Sequence, residues 1–269
     1  MDLLDRKATF EYLKNLKPKA VIDAAAKVGG ISANNSFPVE FLSQNIQIQT
    51  NLMDASHNSG VEKFVFLASS CVYPKSCPQP IKEEYVLTGP LEPTNSAYAM
   101  AKLSGIELIK SYRRQFGHKW ISVMPTNLYG PNDNFDLESS HVFPALIRRF
   151  IDAKHSGAKS VTLWGSGKPR REFLHVDDFS KAILACLEKY DSDQQINIGT
   201  GLDLTIKELS TKIAKSVGFD GEVNWDTNRE DGTPQKVLDI KKISDLGWKP
   251  SISLDEGINL TVEWYLKNK

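Results

Sequence analysis

The chain has 269 residues, of which 41% are hydrophobic and 25% are charged, as is ordinary for a protein with a buried core. Lys plus Arg and Asp plus Glu number 33 each, so the net charge of zero indicates no nucleic-acid or membrane-surface partner. No apolar run approaches the roughly 18 residues of a membrane span, and residues 1–7 lack the apolar core of a secretion signal. The three cysteines have no metal-binding spacing, so we predict reduced thiols, a cytoplasmic location and no metal site.

Helix and strand patterns alternate along the first half of the chain. They predict, in order, a helix over 7–16, a buried strand over Lys19–Ala26, a long helix over 39–58 and a buried strand over Lys63–Ala68. Prolines and glycines predict a loop over 74–94, a helical pattern over 96–116 ends at Gly117, and Trp120–Met124 is a further strand. This alternation predicts an α/β fold with a Rossmann-type, doubly wound parallel sheet.

The second half of the chain is richer in loops as far as residue 174. Its patterns predict helices over 142–153, 177–190, 205–216 and 254–267, strands over Val161–Trp164, Gln195–Ile198 and 222–226, and a capped segment from Asp239. We therefore predict a dinucleotide-binding domain over residues 1–128, to which 175–200 return. A smaller substrate-binding lobe is expected from 129–174 and 201–269.

Tyr98 and Lys102 are spaced one turn apart on one face of a predicted helix. A nearby ammonium lowers the pKa of a phenol from its usual value of about 10, which favours proton exchange with a carbonyl oxygen near neutral pH. Ser69 follows a buried strand at the carboxyl edge, where such sheets bind ligands, and its hydroxyl could bond the same oxygen. Because no side chain supplies a hydride, the group predicts a nicotinamide-dependent reductase. The spacing alone is weak evidence, since it also arises by chance on exposed helices.

Segments spread over the whole chain carry a resemblance to a known family. They are Ala25–Ile31, Ser69–Pro74, Glu92–Asn95, Met124–Pro131, Trp164–Gly167, Arg171–Asp178 and Asp231–Pro234. With them the chain resembles the extended short-chain dehydrogenase/reductase family and, within it, the GDP-L-fucose synthases. The resemblance implies NADP(H) as the cofactor, a GDP-sugar as the substrate, and a homodimer formed through the helices over 39–58 and 97–116.

The same resemblance implies that GDP-4-keto-6-deoxy-D-mannose is inverted at C3 and C5 and then reduced at C4 by NADPH to GDP-L-fucose. Both carbons flank the C4 carbonyl, so loss of either proton gives an enolate that Ser69 and Tyr98 would stabilise. Cys71 and His141 match the family's acid–base pair, and both side-chain types exchange protons near neutral pH. Taken singly, Cys71 could be a small buried hydrophobic residue and His141 an ordinary residue at a helix start.

The family's ligand-binding residues match positions of this chain. For NADP(H) the matching residues are Leu67, Ala68, Ser69, Ser70, Lys102, Pro125, Thr126, Asn127, Leu128 and His141. For the GDP-sugar they are Arg149, Trp164, Arg171 and Lys236. Arginine suits a diphosphate because its planar guanidinium makes two parallel charged hydrogen bonds.

The start of the chain departs from the family pattern. A family member begins with a strand and a glycine loop that binds the cofactor pyrophosphate at a helix N-terminus. Here Met1–Asp5 align with the end of the family's third strand, and Gly29 and Gly30 lack the spacing of that loop. Roughly 35–40 residues are expected to be missing, including those that select NADPH over NADH. The expected causes are a wrongly assigned gene start, a fragment or a truly shortened protein.

Two alternatives remain open at this point. Another nucleotide-sugar epimerase or reductase would share the fold and the reductase group, although Cys71 and His141 favour the interpretation given above. A catalytically inactive fragment would instead bind a sugar nucleotide, or dimerise, without converting a substrate.

Overall fold

The protein is described by a computed structural model that covers residues 1–229 and 231–269. Its strands are β1 (Ala20–Asp23), β2 (Lys63–Leu67), β3 (Ile121–Pro125), β4 (Asn127–Tyr129), β5 (Ser160–Trp164), β6 (Arg170–His175), β7 (Ile196–Ile198), β8 (Asp203–Thr205), β9 (Glu222–Asp226) and β10 (Gln235–Lys236). Its α-helices are α1 (Arg6–Leu16), α2 (Ile31–Ser36), α3 (Pro38–Asn58), α4 (Ser96–Phe116), α5 (Val142–Ser156), α6 (Val176–Lys189), α7 (Ile206–Val217), α8 (Lys241–Asp245) and α9 (Leu254–Asn268). Single 3-10 turns lie at Ser70–Val72, Glu83–Tyr85 and Pro93–Asn95.

A parallel sheet with the strand order β1-β2-β3-β7 lies at the centre of the fold. In its register Asp23 lies opposite Phe66, and Leu67 lies opposite Val123. The strands are short and apolar because both faces of the sheet are covered. This sheet confirms the predicted α/β fold with a Rossmann-type parallel sheet.

Alternate residues of β2 point to opposite faces of the sheet and enter separate cores. Phe64 and Phe66 pack with side chains of α3 and α4 on one face, whereas Val65 packs with Phe179 and Ile183 of α6 on the other. The period of two along a strand produces this division. Helices therefore cover both faces, as a doubly wound sheet requires.

A third core lies in the C-terminal part of the chain. It joins apolar residues of α5, α7 and α9 with Tyr129, Phe173 and the strand pair β5 and β9. A second sheet has the order β10-β6-β4, with β8 antiparallel to β6. This sheet adjoins the central one, because β4 begins two residues after β3 ends.

The sequence pattern predicts most of these elements but not α2, β4, β6, β8 or β10. β4, β8 and β10 are short, and the longer β6 carries the charged residues Arg170, Arg171 and Glu172, which conceal its strand pattern. β1 also ends earlier than predicted, at Asp23 instead of Ala26. The reason is local, since the Asp23 carboxylate accepts a hydrogen bond from the N–H of Ala25 and turns the chain out of the strand.

Helix α4 lies unusually close to β2. A Cβ atom at Gly105 would overlap the ring of Phe66 and would lie 3.0 Å from Cδ of Gln49. Gln49 fixes the contact between α3 and α4, because its side-chain amide donates to the carbonyl of Ala101 and to Oγ of Ser104. The position of α4 over β2 therefore depends on the missing side chain of Gly105.

Within residues 1–229 and 231–269, each helix is too short or too polar to cross a membrane.

We predict that Gly105→Ala destabilises the protein by about 1–2 kcal/mol, because overpacking against Phe66 outweighs the roughly 1 kcal/mol that alanine gains over glycine in a helix. In a Phe66→Leu background the ring atoms that meet the new methyl group are gone, so the same substitution should become neutral or stabilising. Urea unfolding of the four proteins measures this change of sign. An equal effect of Gly105→Ala in both backgrounds would contradict the proposed contact.

Candidate active site

Ser69 lies directly beyond the carboxyl end of β2 in extended backbone and begins the turn Ser70–Val72. Its Oγ accepts a hydrogen bond from the N–H of Cys71 at 3.2 Å, which leaves its O–H free to donate elsewhere. The turn brings Cys71 to a small pocket that Thr233, Gln235 and Lys236 also line. Ser69 and Cys71 therefore lie together at the edge where parallel sheets bind ligands.

The first turn of α4 brings Tyr98 to the same edge, where Ser69 hydrogen-bonds its phenol. Burial raises the pKa of Tyr98 well above its usual range, and the nearby Cys71 raises it further, while the bond from Ser69 lowers it. The lowered pKa that the spacing of Tyr98 and Lys102 predicts is therefore wrong for this structure. The phenol is protonated at neutral pH, which is the form that can donate a proton to a carbonyl oxygen.

Lys102 lies almost fully inside the protein, with 3% of its surface exposed. Its Nζ donates to the carbonyl oxygen of Leu67 at 2.8 Å and lies 4.8 Å from the ring centroid of Phe66. The same atom is 5.9 Å from the ring centroid of Tyr98, so the two side chains are neighbours without a direct bond. Burial lowers the pKa of Lys102 to about 8, and Asp23 opposes that change. The amine thus remains mostly charged at neutral pH.

Asn95 forms a hydrogen bond to the sulfur of Cys71, a contact that the sequence does not predict. Its side-chain amide donates to Sγ of Cys71 at 3.5 Å, from the turn that precedes α4. Arg171 also lies near the thiol. Burial lowers the pKa of the Arg171 guanidinium, and the nearby Cys71 and Asp231 oppose this decrease. The only signal for Asn95 in the sequence is its place in the segment Glu92–Asn95. Two polar side chains thus lie near Sγ.

His141 directly precedes the first residue of α5. In the loop before it, the carbonyl oxygen of Ser139 accepts a hydrogen bond from the N–H of Gly30. His141 is exposed at the surface, but the surrounding protein removes water from part of its imidazole. This desolvation lowers the pKa of His141, and the Asp133 carboxylate partly opposes the change. The hydrogen bonds of the described residues do not join His141 to Cys71 or Tyr98. Asp133 is a second residue that the sequence does not predict, because only the fold of the loop brings it close to His141.

The four predicted substrate residues lie on four elements, with Arg149 on α5, Trp164 on β5, Arg171 on β6 and Lys236 on β10. Arg171 donates to the backbone carbonyls of Arg170 and Thr233, and its register partner on β10 is Lys236. Arginine and lysine therefore lie side by side next to the pocket that contains Cys71.

Trp164 ends β5 with 59% of its surface exposed, although it is a large aromatic residue. The guanidinium carbon of Arg149 lies 5.9 Å from its ring centroid, and that of Arg229 lies 4.9 Å away. Arg229 is not among the predicted substrate-binding residues, because the sequence around it carries no periodic pattern. The exposed ring with two cations beside it is suited to a planar, negatively charged ligand.

Apart from Lys102 on α4 and His141 at the start of α5, the residues predicted to hold a nicotinamide cofactor lie at the carboxyl ends of β2 and β3. The segment Pro125–Leu128 joins β3 to β4, and within it Thr126 and Asn127 both donate to the backbone carbonyl of Glu172. β2 ends at Leu67, and Ala68 and Ser70 follow it. The carbonyl oxygen of Leu67 accepts a hydrogen bond from Nζ of Lys102. The structure therefore brings these segments to one sheet edge, with Lys102 at its centre.

Glu172 stabilises the loops around this edge and was also missed by sequence reasoning. Its carboxylate is fully buried and accepts hydrogen bonds from the N–H groups of Thr200, Gly201 and Leu238. These three bonds compensate for its burial. They also fix β6, and with it Arg171, against two loops from distant parts of the chain.

No group of three or more His, Cys, Asp or Glu side chains in the described part of the chain is arranged to hold a metal ion. The three cysteines are free thiols, with Cys186 buried and Cys71 and Cys77 partly exposed.

Comparisons with known proteins give consistent relatives. Residues 1–199 match the NAD dependent epimerase/dehydratase family. The chain is 52% identical over 270 residues to putative GDP-L-fucose synthase 2 of Arabidopsis thaliana, with 100% of this chain and 82% of that one covered. It is 48% identical over 278 residues to GDP-L-fucose synthase of Escherichia coli K12, with 100% and 87% covered. The structure matches GDP-L-fucose synthetase of Naegleria fowleri bound to NADP, with a TM-score of 0.91, 31% identity and 99% and 83% covered. These relatives confirm the predicted resemblance.

We predict that Asn95→Ala slows the alkylation of Cys71 by iodoacetamide about tenfold, because the reactive thiolate loses a hydrogen-bond donor. A Cys77→Ser background leaves Cys71 as the accessible thiol, since Cys186 is buried. Mass spectrometry of the alkylated protein over time gives the rate. Thr94→Ala is the matched control, because the Thr94 side chain bonds Glu92 and not the sulfur. An unchanged rate in Asn95→Ala would show that Asn95 does not stabilise the thiolate.

Proposed function

Because the chain belongs to the NAD dependent epimerase/dehydratase family, we propose that it converts GDP-4-keto-6-deoxy-D-mannose to GDP-L-fucose. In this reaction C3 and C5 are inverted and the C4 ketone is then reduced with NADPH. The observation that carries the proposal is the meeting of Ser69, Cys71 and Tyr98 at one sheet edge, with a buried ammonium from Lys102 beside them. Relatives named GDP-L-fucose synthase at about half identity support the choice of substrate.

The reduction needs one proton donor and one stabilising charge from the protein. NADPH, when bound, supplies the hydride that goes to C4. The protonated phenol of Tyr98 gives its proton to the C4 oxygen, which Ser69 also hydrogen-bonds. The Lys102 ammonium then stabilises the phenolate left on Tyr98. The raised pKa of Tyr98 suits this direction, because the residue acts as an acid.

Epimerisation uses the same oxygen site for a different purpose. Loss of the proton at C3 or C5 moves the electron pair toward the C4 oxygen, and Ser69 and Tyr98 stabilise the enolate by hydrogen bonds. Cys71 and His141 act as the proton acceptor and the proton donor on opposite faces of the sugar ring. Asn95 donates a hydrogen bond to the sulfur of Cys71, and Asp133 supports the charged form of His141.

Ligand binding is divided between the two parts of the chain. The residues that we propose to hold NADP(H) are Leu67, Ala68, Ser69, Ser70, Lys102, Pro125, Thr126, Asn127, Leu128 and His141. Those that we propose to hold the GDP-sugar are Arg149, Trp164, Arg171 and Lys236. Most of the cofactor residues fall within 1–128, which with 175–200 forms the proposed cofactor domain. The substrate residues fall within 129–174 and 201–269, which form the proposed substrate lobe.

A homodimer in the cytoplasm belongs to the same proposal. The helices α3 and α4 pack against each other and keep Leu42 and Met100 exposed, at 36% and 50% of their surface. A second copy would cover these side chains with its own α3 and α4. Analytical ultracentrifugation of the purified chain tests this, with a dimer expected and a monomer at micromolar concentration contradicting it.

The function itself is tested with GDP-4-keto-6-deoxy-D-mannose and NADPH, with the products identified by NMR. GDP-L-fucose is expected, and reduction without inversion of C3 and C5 would instead favour another nucleotide-sugar reductase. Calorimetric titrations with the GDP-sugar and with NADPH separate an enzyme from an inactive binding module. GDP-sugar binding without NADPH binding or turnover would overturn the enzymatic proposal for this chain.

We predict that Cys71→Ser and His141→Gln each slow the exchange of the C3 and C5 protons with deuterium oxide about a hundredfold, since each removes an acid or base. Ketone reduction, followed as NADPH oxidation, should fall less. Cys77→Ser and His155→Gln are matched controls, because both residues lie outside the proposed site and should leave exchange unchanged. Normal exchange in both Cys71→Ser and His141→Gln would show that the acid–base assignment is wrong.

A further inference from the structure

Asp23, the last residue of β1, is a carboxylate in an unusual position. It is only 1% exposed, although buried aspartates are rare without a partner. Its Oδ1 accepts the N–H of Ala25 at 3.1 Å. Its Oδ2 is buried and has no hydrogen-bond partner among the described residues. A buried carboxylate with one unbonded oxygen is costly, so its retention calls for a nearby positive charge.

The sheet register places that positive charge beside Asp23. Asp23 lies opposite Phe66 on the parallel neighbour β2, so the two side chains project from the same face of the sheet. The ammonium of Lys102 lies over the Phe66 ring, 4.8 Å from its centroid, and donates to the carbonyl of Leu67, the next residue. Carboxylate, ring and ammonium therefore share one buried face at the end of the sheet.

The charges of these two groups depend on each other. Burial raises the pKa of Asp23 to about 6, and Lys102 opposes this increase. Burial lowers the pKa of Lys102 to about 8, and Asp23 opposes this decrease. Tyr98, on the same helix as Lys102, is the other titratable group nearby, and it is neutral over this range. Both partners are thus mainly charged between about pH 6 and pH 8.

We propose that Asp23 is a positioning residue of the reductase group, whose buried carboxylate keeps Lys102 in its ammonium form. This inference rests on the proposed function, because the ammonium matters for catalysis only if Tyr98 becomes a phenolate during ketone reduction. Without Asp23, Lys102 would face the interior with the Leu67 carbonyl and the rings of Phe66 and Tyr98 as its remaining partners. A neutral amine would then form near physiological pH and could not stabilise the phenolate.

A double-mutant cycle of stability tests the pairing without any need for turnover. The proteins are the wild type, Asp23→Asn, Lys102→Met and the double variant, each unfolded in urea at pH 4.5 and pH 7.5. Because burial raises the pKa of Asp23 from an ordinary value of 3.8 to about 6, ionising its carboxylate costs stability progressively as the pH rises between these values, so the cost is larger at pH 7.5 than at pH 4.5. Asp23→Asn should therefore raise the urea midpoint at pH 7.5 relative to pH 4.5, and by more in the Lys102→Met background.

Asp193→Asn is the matched control for this cycle, because it removes an exposed carboxylate and should give the same small change at both pH values and in both backgrounds. If Asp23→Asn behaves like Asp193→Asn, Asp23 is not coupled to Lys102 and the inference is overturned. This outcome is independent of whether GDP-L-fucose is the product. A protein that lacks turnover but shows the coupling would overturn the proposed function alone.

The pH profile of ketone reduction provides the catalytic test. Asp23→Asn should move the alkaline limb of kcat to lower pH by about one unit, because Lys102 loses its proton earlier. Asp23→Glu, which retains the charge, should restore the limb toward that of the wild type. A change in KM or thermal stability with an unmoved limb would show that Asp23 has a structural role only.

Discussion

The buried ammonium of Lys102 is the interaction on which the rest of the site depends. It reaches the carbonyl of Leu67 only because α4 lies close to β2, and that approach requires the absence of a side chain at Gly105. The same packing fixes the first turn of α4 and so places Tyr98 beside Ser69. One close helix–sheet contact thus aligns the groups that would act on a substrate oxygen.

The charges at this site follow from burial as much as from proximity. Burial keeps the phenol of Tyr98 protonated, which is the form that a ketone reduction needs. Burial also lowers the pKa of Lys102 to about 8, and Asp23 opposes this decrease and favours the ammonium. Inversion and reduction of the sugar both place negative charge on the same C4 oxygen. A single pair of donors, Ser69 and Tyr98, can therefore serve both reactions if Cys71 and His141 move the protons.

The sequence predicts this framework well where the signal is local. The helical pattern over 96–116 has the same bounds as α4, and a short apolar run predicts β2. Both features can be predicted because they depend on periodicity and on residues that are close in the sequence. The spacing of Tyr98 and Lys102 predicts a reductase group, but the pKa of the buried phenol is raised and not lowered as that spacing predicts. Spacing does not show that Nζ of Lys102 bonds to β2 or that the phenol is buried.

Other residues could not be assigned from the sequence because their partners are distant along the chain. Asn95 meets Cys71 across a loop, Asp23 meets Lys102 through the register of two strands, and Glu172 bonds loops from two later segments. The charged strand β6 is concealed for a related reason. Its charges are compensated by tertiary contacts that no local pattern can indicate.

In the proposed mechanism, one oxygen site formed by Ser69 and Tyr98 serves both proton exchange and ketone reduction. Tyr98→Phe tests it most directly, with deuterium exchange at C3 and C5 and NADPH oxidation measured on the same GDP-4-keto sugar. Both rates should fall, and reduction should fall by at least about a hundredfold because its proton donor is gone. Exchange at the wild-type rate in Tyr98→Phe would contradict the claim, since the enolate would then be stabilised elsewhere.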